Sequence, residues 1–424
     1  MLIAGSFFVL LFLGVPIAFL LGIIALFSIV VSGNIGMLKS ITQIFYNGIQ
    51  SFGLLAIPFF VLVGELMNSG GITKRLIHFA SVLVGYIRGG LAYVNVLTNM
   101  FLASIVGSAN AQVAIMGRTI VPEMEKKGYT RDFSSALTAA SSIMGPLIPP
   151  SMPFILYGVL AGESIGRMFI AGIIPGLLFG IGFSLLIYFI SIKQNFPKMH
   201  RESVKQMVKA VISVLPSLSI PVLIIWGIMA GVFTPTESAA FAALISFIIG
   251  KFIYRELKIR DLPKILLNTV LTSATVIFLV ATSNIFSWVL TFEQIPDKIN
   301  EFLISATSSP LVFLLLVNII LFIVGMFIDA VAALVLIVPI LMPLVLEYGI
   351  DPVHFGVIVV INLTLGLMTP PVGTVLFVTS ALADIKLERL IKALVPFLLV
   401  SLVILLLITY IPELTLYLVK LSGV

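Results

Sequence analysis

Asp329 is the side chain of this 424-residue sequence whose position most clearly calls for a chemical explanation. It is the only charged residue between Glu301 and Glu347, and it follows closely after Gly325 in an otherwise apolar stretch. A carboxylate at membrane depth costs about 2.5–3.5 kcal/mol or more unless it faces water, a cation or a donor. The position therefore predicts a functional carboxylate. The structural alternative is an N-cap of the next helix, since Asp caps helices well, and the two roles can coexist.

Small oxygen-bearing residues elsewhere in apolar stretches could hold a cation. Ser108 and Asn110 follow Gly107, and small polar residues at a turn either cap a helix or bind a ligand. Hard cations such as Na⁺ prefer oxygen ligands, which hydroxyls, amides and freed carbonyls supply without fixed charge. The alternative is that such hydroxyls, including that of Thr364, donate hydrogen bonds to carbonyls of their own helix. The predicted cation ligands are Ser108, Ser141, Ser142, Gly145, Gly325, Asn362, Gly366 and Thr369.

Two proline doublets interrupt the helices that would carry these residues, in "GPLIPPSMP" (145–153) and "GLMTPPVGT" (366–374). Proline lacks an N–H and clashes with the preceding turn, so a doublet breaks a helix. Lipid tolerates such backbone only where protein buries it or where it lines a cavity. A shift of 221 residues (370 − 149) lays one doublet on the other, Gly145 on Gly366 and Ser141 on Asn362. Further ordered matches over both halves indicate an internal repeat.

The composition indicates a polytopic membrane protein. The chain is 60% hydrophobic and 10% charged, with a mean hydropathy of +1.22, which leaves room for about ten to twelve spans. The absence of cysteine excludes thiolate chemistry, iron–sulfur clusters and disulfides. The positive-inside rule explains the net charge of +6. The lipid bilayer is therefore an expected partner, and no nucleic-acid partner is expected.

The charges also indicate how the two halves are oriented. Basic stretches at 193–209 and 251–264 are predicted to be cytoplasmic, whereas the acidic loop 293–301 falls on the far side. Lys126, Lys127 and Arg131 follow the first hairpin, whereas Glu347 and Asp351 follow the second. Related segments that enter from opposite faces form an inverted repeat, and their short apolar lengths favour re-entrant hairpins over full spans.

These observations predict an all-α polytopic membrane protein with two inverted-topology repeats, each containing a re-entrant helical hairpin and a discontinuous helix. The first repeat is expected over 1–195, with its hairpin at about 91–126 and its broken helix at about 133–160. A basic cytoplasmic linker follows over 196–209. The second repeat is expected over 210–424, with its hairpin at about 311–347 and its broken helix at about 353–382.

Other features carry structural predictions. The run 2–31 is expected to be a retained span and 76–88 an interfacial helix, whereas 211–250 is expected to cross the membrane out and back. The G-x-x-x-G spacing of Gly172, Gly176 and Gly180 predicts a close helix contact. Glu237 is expected to start a helix, and Arg118 is expected to pair with Glu123 or Glu125.

Rival function classes fit the sequence less well. The histidines are scattered without an H-E-x-x-H pattern, which argues against an intramembrane metalloenzyme. A channel would need a filter or a charged ring, and a purely structural subunit would not need broken helices. The sequence has no P-loop motif, so coupling energy must come from an ion gradient or from a separate ATPase.

The motifs "GSANAQVAIMGRTIVPEMEKKGY", "SSIMGPLIPPSMPFILYG", "GVFTPTESAA", "YRELKIRDL" and "NLTLGLMTPPVGTVLFV" resemble the large membrane subunit of tripartite ATP-independent periplasmic (TRAP) transporters. The resemblance covers essentially the whole chain, and the sequence is most similar to the sialic-acid branch of this family. It implies an elevator-type importer in the bacterial inner membrane, with a scaffold and a transport domain, that couples uptake of organic anions to two or more Na⁺ ions.

The resemblance also implies partners and binding residues. The partners are a small (Q-type) membrane subunit and a periplasmic (P-type) substrate-binding protein. Substrate contacts are expected from Ser108, Asn110, Ser151 and Asp329. The alternative function is an ion-coupled organic-anion transporter that works without a binding protein.

Overall fold

The computed structural model describes residues 2–198, 202–295, 298, 307 and 309–423, and within these ranges it contains helices and no strands. The predicted acidic loop is described only in part, because Asp297 and Glu301 lie outside these residues. The same holds for residues 199–201 of the predicted basic linker.

The described chain forms nineteen α-helices that we number α1 to α19. Their bounds are α1 Leu2–Phe12, α2 Ile17–Val31, α3 Leu38–Ile49, α4 Ala56–Ser69, α5 Ile72–Val84, α6 Gly90–Val106, α7 Ala109–Lys126, α8 Arg131–Ser142, α9 Met152–Ala161, α10 Ile165–Lys193, α11 Val204–Met229, α12 Pro235–Ile248, α13 Leu262–Phe292, α14 Pro310–Phe327, α15 Ala330–Glu347, α16 Pro352–Gly366, α17 Thr374–Ala383, α18 Leu387–Tyr410 and α19 Glu413–Ser422. A π-helical turn, Ile249–Ile253, extends α12.

Eight helical segments of the described residues are long and apolar enough to cross a membrane. They are Phe52–Ser69, Ile165–Lys193, Val204–Met229, Pro235–Ile253, Ile259–Phe292, Pro310–Phe327, Ala330–Glu347 and Leu387–Tyr410. Shorter apolar helices lie between them, including α6, α9, α16 and α17. The all-α membrane architecture expected from the composition is therefore present, with fewer full-length spans than the ten to twelve that would fit the chain length.

Paired helices occupy the positions where the sequence places the hairpins and the broken helices. Helices α6 and α7 meet at Gly107 and Ser108, and α14 and α15 meet at Ile328 and Asp329. The chain leaves helical conformation between α8 and α9, over 143–151, and between α16 and α17, over 367–373. Each interruption contains a proline doublet, and both Pro-Pro peptide bonds are cis.

The two broken helices run in opposite directions. At the start of α8, Asp132 lies 2.8 Å from Arg389 at the start of α18, which directly follows α17. At the start of α16, Asp351 lies 3.9 Å from Arg167 at the start of α10, which directly follows α9. Each broken helix thus begins beside the end of the other.

The helices fall into two packing groups. In the first group, α4 packs against α12 and α13, and α13 also packs against α2 and α3. In the second group, each hairpin packs against the broken helix of its own half, the broken helices pack against α10 and α18, and α19 packs against α10. Contacts of α4 with α6 and α9, and of α13 with α15, join the groups. We call them the α4–α13 group and the hairpin group.

Several local predictions can be compared with the structure. The run 2–31 is divided into α1 and α2, because Gly14 adopts φ +77° and Pro16 precedes the next helix. Glu237 lies in the first turn of α12, where it forms a capping box with Thr234. The predicted pair of Arg118 is wrong: Glu125 instead lies 4.0 Å from Arg131, and no ion pair of Arg118 occurs among the described residues. Residues 76–84 of the predicted interfacial segment 76–88 belong to α5, which begins at Ile72 and ends at Val84.

The predicted close contact at the G-x-x-x-G glycines is present. A Cβ atom on Gly172 would lie 2.3 Å from the Phe154 ring of α9, and one on Gly176 would lie 2.4 Å from Ile148. A Cβ on Gly180 would meet Met100 of α6 at 2.4 Å. These glycines let α10 support the first interruption and the first hairpin from behind.

Candidate functional site

A cavity of about 330 Å³ lies where the two hairpin turns approach each other. Its wall on the hairpin group includes residues of both turns and of both helix interruptions, such as Pro146 and Leu367. The opposite wall is formed by α4 and by Thr272 of α13. The polar side chains around it are Glu65, Asn68, Ser108, Asn110, Thr272 and Asp329. The cavity therefore lies between the two helix groups.

Ser108 and Asp329 occupy equivalent places at the two turns. The Ser108 hydroxyl accepts a hydrogen bond from the Ala111 N–H at 3.4 Å, and Asp329 Oδ1 accepts one from the Val331 N–H at 3.0 Å. Both side chains are exposed to the cavity. Each residue thus caps its helix, as the structural alternative predicts, and also presents oxygen to a ligand.

Asn110 connects the first turn to the second half of the chain. Its Nδ2 donates a hydrogen bond to the hydroxyl of Thr374, the first residue of α17, at 3.1 Å. Its Oδ1 is buried and has no hydrogen-bond partner in the described part of the chain. The side chain therefore holds the two halves together at the cavity and keeps one acceptor available.

The predicted cation ligands Ser141 and Asn362 each carry a buried oxygen without a hydrogen-bond partner among the described residues. Both side chains are fully buried, and they correspond under the repeat shift (362 − 141 = 221). Leaving such an acceptor unsatisfied costs about 1–3 kcal/mol. A small cation beside each oxygen would offset this penalty, so the two oxygens are candidate Na⁺ ligands.

Three other predicted hydroxyl ligands donate hydrogen bonds to nearby carbonyls. Ser142 donates to the Ala139 carbonyl at 2.7 Å, and Thr369 donates to the Leu365 carbonyl at 2.8 Å. Ser151 donates to the Pro146 carbonyl at 2.6 Å and caps α9, and it is not among the residues that line the cavity. The structure gives all three hydroxyls a structural bond that they donate, whereas Ser141 Oγ has no hydrogen-bond partner among the described residues.

Glycines bring each hairpin turn against the interruption of its own half. A Cβ on Gly366 would lie 2.2 Å from the Gly325 carbonyl carbon, so the ends of α14 and α16 meet backbone to backbone. The Gly373 N–H also donates to the Met326 carbonyl at 3.0 Å. In the first half, Gly107 faces residues 150–152, and a Cβ on Gly145 would contact the Gln112 amide at 3.1 Å.

Buried amides hold each hairpin on its broken helix in a corresponding way. Asn95 of α6 donates to the Thr138 hydroxyl of α8 at 2.7 Å. In the second half, Asn362 of α16 donates to Asn318 Oδ1 of α14 at 2.6 Å. These bonds fix the orientation of the Asn362 amide, which leaves its free oxygen in a defined position.

A hydrogen bond also crosses between the helix groups near the middle of α15. Pro339 has no N–H, so the Val335 carbonyl one turn earlier lacks its helical donor. The Ser283 hydroxyl of α13 supplies that donor at 2.6 Å, and Ser283 is buried. The bond ties the α4–α13 group to the second hairpin in the conformation described.

Glu65 is a site residue that the sequence analysis missed. It lines the cavity from α4, and the Asn268 amide of α13 donates to its Oε2 at 3.5 Å. The sequence singles out Glu65 in the same way as Asp329, as a lone charge in a long uncharged stretch, because Glu65 is the only charged residue between Lys39 and Lys74. The cavity therefore carries two carboxylates, one on each wall.

Comparison with known proteins identifies the family. Residues 4–414 match the family model of the tripartite ATP-independent periplasmic transporter, DctM component. The chain is 40% identical over 412 residues to the sialic acid TRAP transporter large permease protein SiaM of Vibrio cholerae, covering 97% of this chain and 96% of the relative. It is 41% identical over 374 residues to the C4-dicarboxylate TRAP transporter large permease protein DctM of Pseudomonas aeruginosa, covering 88% of each.

Two further comparisons concern chain length and fold. The chain is 41% identical over 414 residues to the isethionate TRAP transporter permease protein DctMQ of Oleidesulfovibrio alaskensis, covering 97% of this chain but only 65% of that protein. Among solved structures, the Alcanivorax borkumensis YdaH transporter superposes with a TM-score of 0.63 at 14% identity, over 89% of this chain and 88% of that one. This likeness concerns the fold alone. The chain belongs to the DctM family and is a multi-pass integral membrane protein, the large permease component of a TRAP transporter.

Proposed function

We propose that this permease imports an organic anion by sodium-coupled secondary active transport. The observation that carries the proposal is the pair of unpartnered oxygens at Ser141 and Asn362, which lie at corresponding positions of the two halves. Each lies in a broken helix whose interruption reaches the shared cavity. One Na⁺ would bind between the Ser108 turn and the first interruption, and a second between the Asp329 turn and the second interruption.

The proposed architecture is a pair of inverted repeats whose hairpins are re-entrant. The antiparallel courses of the two broken helices, marked by the Asp132–Arg389 and Arg167–Asp351 pairs, support the inversion. The hairpin helices meet at capped turns that border the cavity, which supports re-entry from opposite faces. An inverted repeat of this kind places its binding site near the bilayer midplane.

The proposed mechanism is an elevator, in which the hairpin group is the transport domain and the α4–α13 group is the scaffold. The position of the cavity between the two groups supports this division, because movement of one group past the other would change the side from which the cavity opens. The Ser283 hydroxyl bond to the Val335 carbonyl must then break during each transport cycle.

The proposed partners are a small (Q-type) membrane subunit and a periplasmic (P-type) substrate-binding protein, in the bacterial inner membrane. Membership of a tripartite transporter family supports both partners, and the longer DctMQ relative supports a closely associated second permease component. Relatives are named for sialic acid, C4-dicarboxylates and 2,3-diketo-L-gulonate, so the substrate class is an organic anion. Sialic acid is the specific substrate that we propose.

Uptake into proteoliposomes tests the proposal. The permease, its small subunit and its binding protein should accumulate labelled substrate under an inward Na⁺ gradient, whereas choline should abolish uptake and ATP alone should not support it. Unchanged uptake in choline would remove the sodium coupling. Omission of the binding protein tests the alternative, since uptake that persists without it would favour an ion-coupled carrier that works alone.

A further inference from the structure

We propose that the cavity selects hydroxylated monoanions over dicarboxylates, and that Glu65 on the scaffold wall is a specificity-determining residue. This inference rests on the proposed transport function and assigns its substrate selectivity to particular groups of the cavity. It follows from the charges and hydrogen-bonding groups around the cavity.

The cavity has no cationic side chain to receive a second substrate carboxylate. Its charged residues are Glu65 on α4 and Asp329 at the second turn, and no Lys, Arg or His lines it in the ranges that the structure describes. Like charges placed opposite each other disfavour a partner and so create specificity against it. A dicarboxylate would bring its second negative charge to a wall that already carries a carboxylate.

One substrate carboxylate can nevertheless be accommodated. The first residues of α7 and α15, including Ala109 and Ala330, border the cavity, so two helix N-termini point towards it. Backbone N–H groups and the positive end of the helix dipole favour an anion at such a place. The two proposed Na⁺ ions would add positive charge beside the same turns.

The remaining polar groups around the cavity suit a ligand with many hydrogen-bond donors. Carboxyl oxygens accept hydrogen bonds, so Glu65 and Asp329 suit hydroxyl or amide N–H groups of a substrate. Glu65 Oε2 accepts from Asn268, whereas its Oε1 accepts no hydrogen bond from the described residues. Asn110 contributes a further unpartnered acceptor, Oδ1. Acceptors thus face the cavity from both walls.

The location of Glu65 makes it a determinant of selectivity rather than of the fold. It is half-buried on α4, where Asn68 lies one turn further along and also borders the cavity. No ion pair of Glu65 occurs in the described part of the chain, and its one hydrogen bond is long. The cavity volume of about 330 Å³ is within the range of small-molecule sites, about 300–1,000 Å³.

Equilibrium binding to the purified full-length chain tests the inference. The probes are labelled N-acetylneuraminate and D-gluconate, which are hydroxylated monoanions, and succinate, a dianion without hydroxyls, each measured in NaCl and in choline chloride. The test variant is Glu65→Gln, which keeps the size of the side chain and removes its charge. The matched control is Glu237→Gln, because glutamine preserves the capping box and Glu237 does not line the cavity.

We expect at least one hydroxylated acid to bind at least about tenfold more tightly than succinate. Glu65→Gln should reduce this ratio by about threefold or more, and Glu237→Gln should leave it unchanged. The inference is overturned if succinate binds as tightly as the better hydroxylated acid, if neither hydroxylated acid binds, or if Glu65→Gln leaves the ratio unchanged.

The comparison between salts separates this inference from the proposed function. Sodium-dependent binding of succinate alone would keep sodium coupling and remove the substrate class. Preferential binding of a hydroxylated acid that is equal in NaCl and choline chloride would keep the substrate class and remove sodium coupling.

Discussion

Replacing Asp329 with asparagine separates a charge role from a capping role at the second turn. The Oδ1 atom that accepts the Val331 N–H at 3.0 Å is retained, and asparagine is about as good an N-cap as aspartate. The free energy of unfolding should therefore change by less than about 1 kcal/mol. In the proposed function the carboxylate, which faces the cavity, balances a cation or orients a hydroxylated substrate, so transport should fall by about tenfold or more, equivalent to about 1.4 kcal/mol.

The assay is sodium-driven uptake in proteoliposomes, measured beside expression level and melting temperature. Asp351→Asn is the matched control, since Asp351 caps α16 through the Val353 and His354 N–H groups but does not line the cavity. We expect the control variant to transport normally and to melt within a few degrees of the unmodified chain. Full transport by a well-folded Asp329→Asn protein would refute the charge role and leave Asp329 as a helix cap.

Three further substitutions test individual contacts. Ser141→Ala should raise the Na⁺ concentration for half-maximal uptake by about threefold or more without loss of stability, because the removed oxygen has no hydrogen-bond partner among the described residues. Ser134→Ala is the control, because Ser134 is also buried in α8 but donates to the Thr130 carbonyl away from the interruption; an equal effect in both variants would argue against Ser141 as a ligand. Ser283→Ala should lower the free energy of unfolding by about 1–3 kcal/mol, because it leaves the Val335 carbonyl without a donor. The control is Ser246→Ala, whose hydroxyl bonds a carbonyl of its own helix, and equal denaturation midpoints for the two variants would contradict the prediction. Gly366→Ala should lower the free energy of unfolding by about 1–3 kcal/mol or more, because the added Cβ would clash with the Gly325 backbone. Gly117→Ala is the control and should be neutral or stabilising, since a Cβ there would have no neighbouring atom nearer than 3.8 Å. Similar melting temperatures for the two variants would show that the close approach of Gly366 to Gly325 is unimportant.

Much of the fold could be predicted because local chemistry encodes it. Proline doublets break helices, and small polar residues such as Ser108 and Asp329 cap them, so the interruptions and turns are visible in the sequence. The apolar runs between these signals have the lengths of the helices in the structure. The divided run at the N-terminus was harder to predict, since a single Gly14-to-Pro16 break lies within continuous hydrophobicity.

The parts of the site that depend on packing between distant segments could not be predicted in the same way. Glu65 was recognisable as an isolated charge, but only the packing of α4 beside the hairpins places it on the cavity wall. Which hydroxyls keep a free oxygen also depends on tertiary contacts: Ser141 and Ser142 are neighbours, yet only Ser142 finds a carbonyl. The distance from Ser151 to the Pro146 carbonyl depends on the fold of the interruption, which the sequence pattern does not specify.

The most direct test of the central claim is a pair of high-resolution cryo-EM maps of the reconstituted permease, one in Na⁺ and one in choline. The account predicts density for a bound ion beside Ser141 Oγ and another beside Asn362 Oδ1 in Na⁺, and loss of both in choline. Identical maps in the two salts, with both oxygens contacting only protein or water, would contradict it.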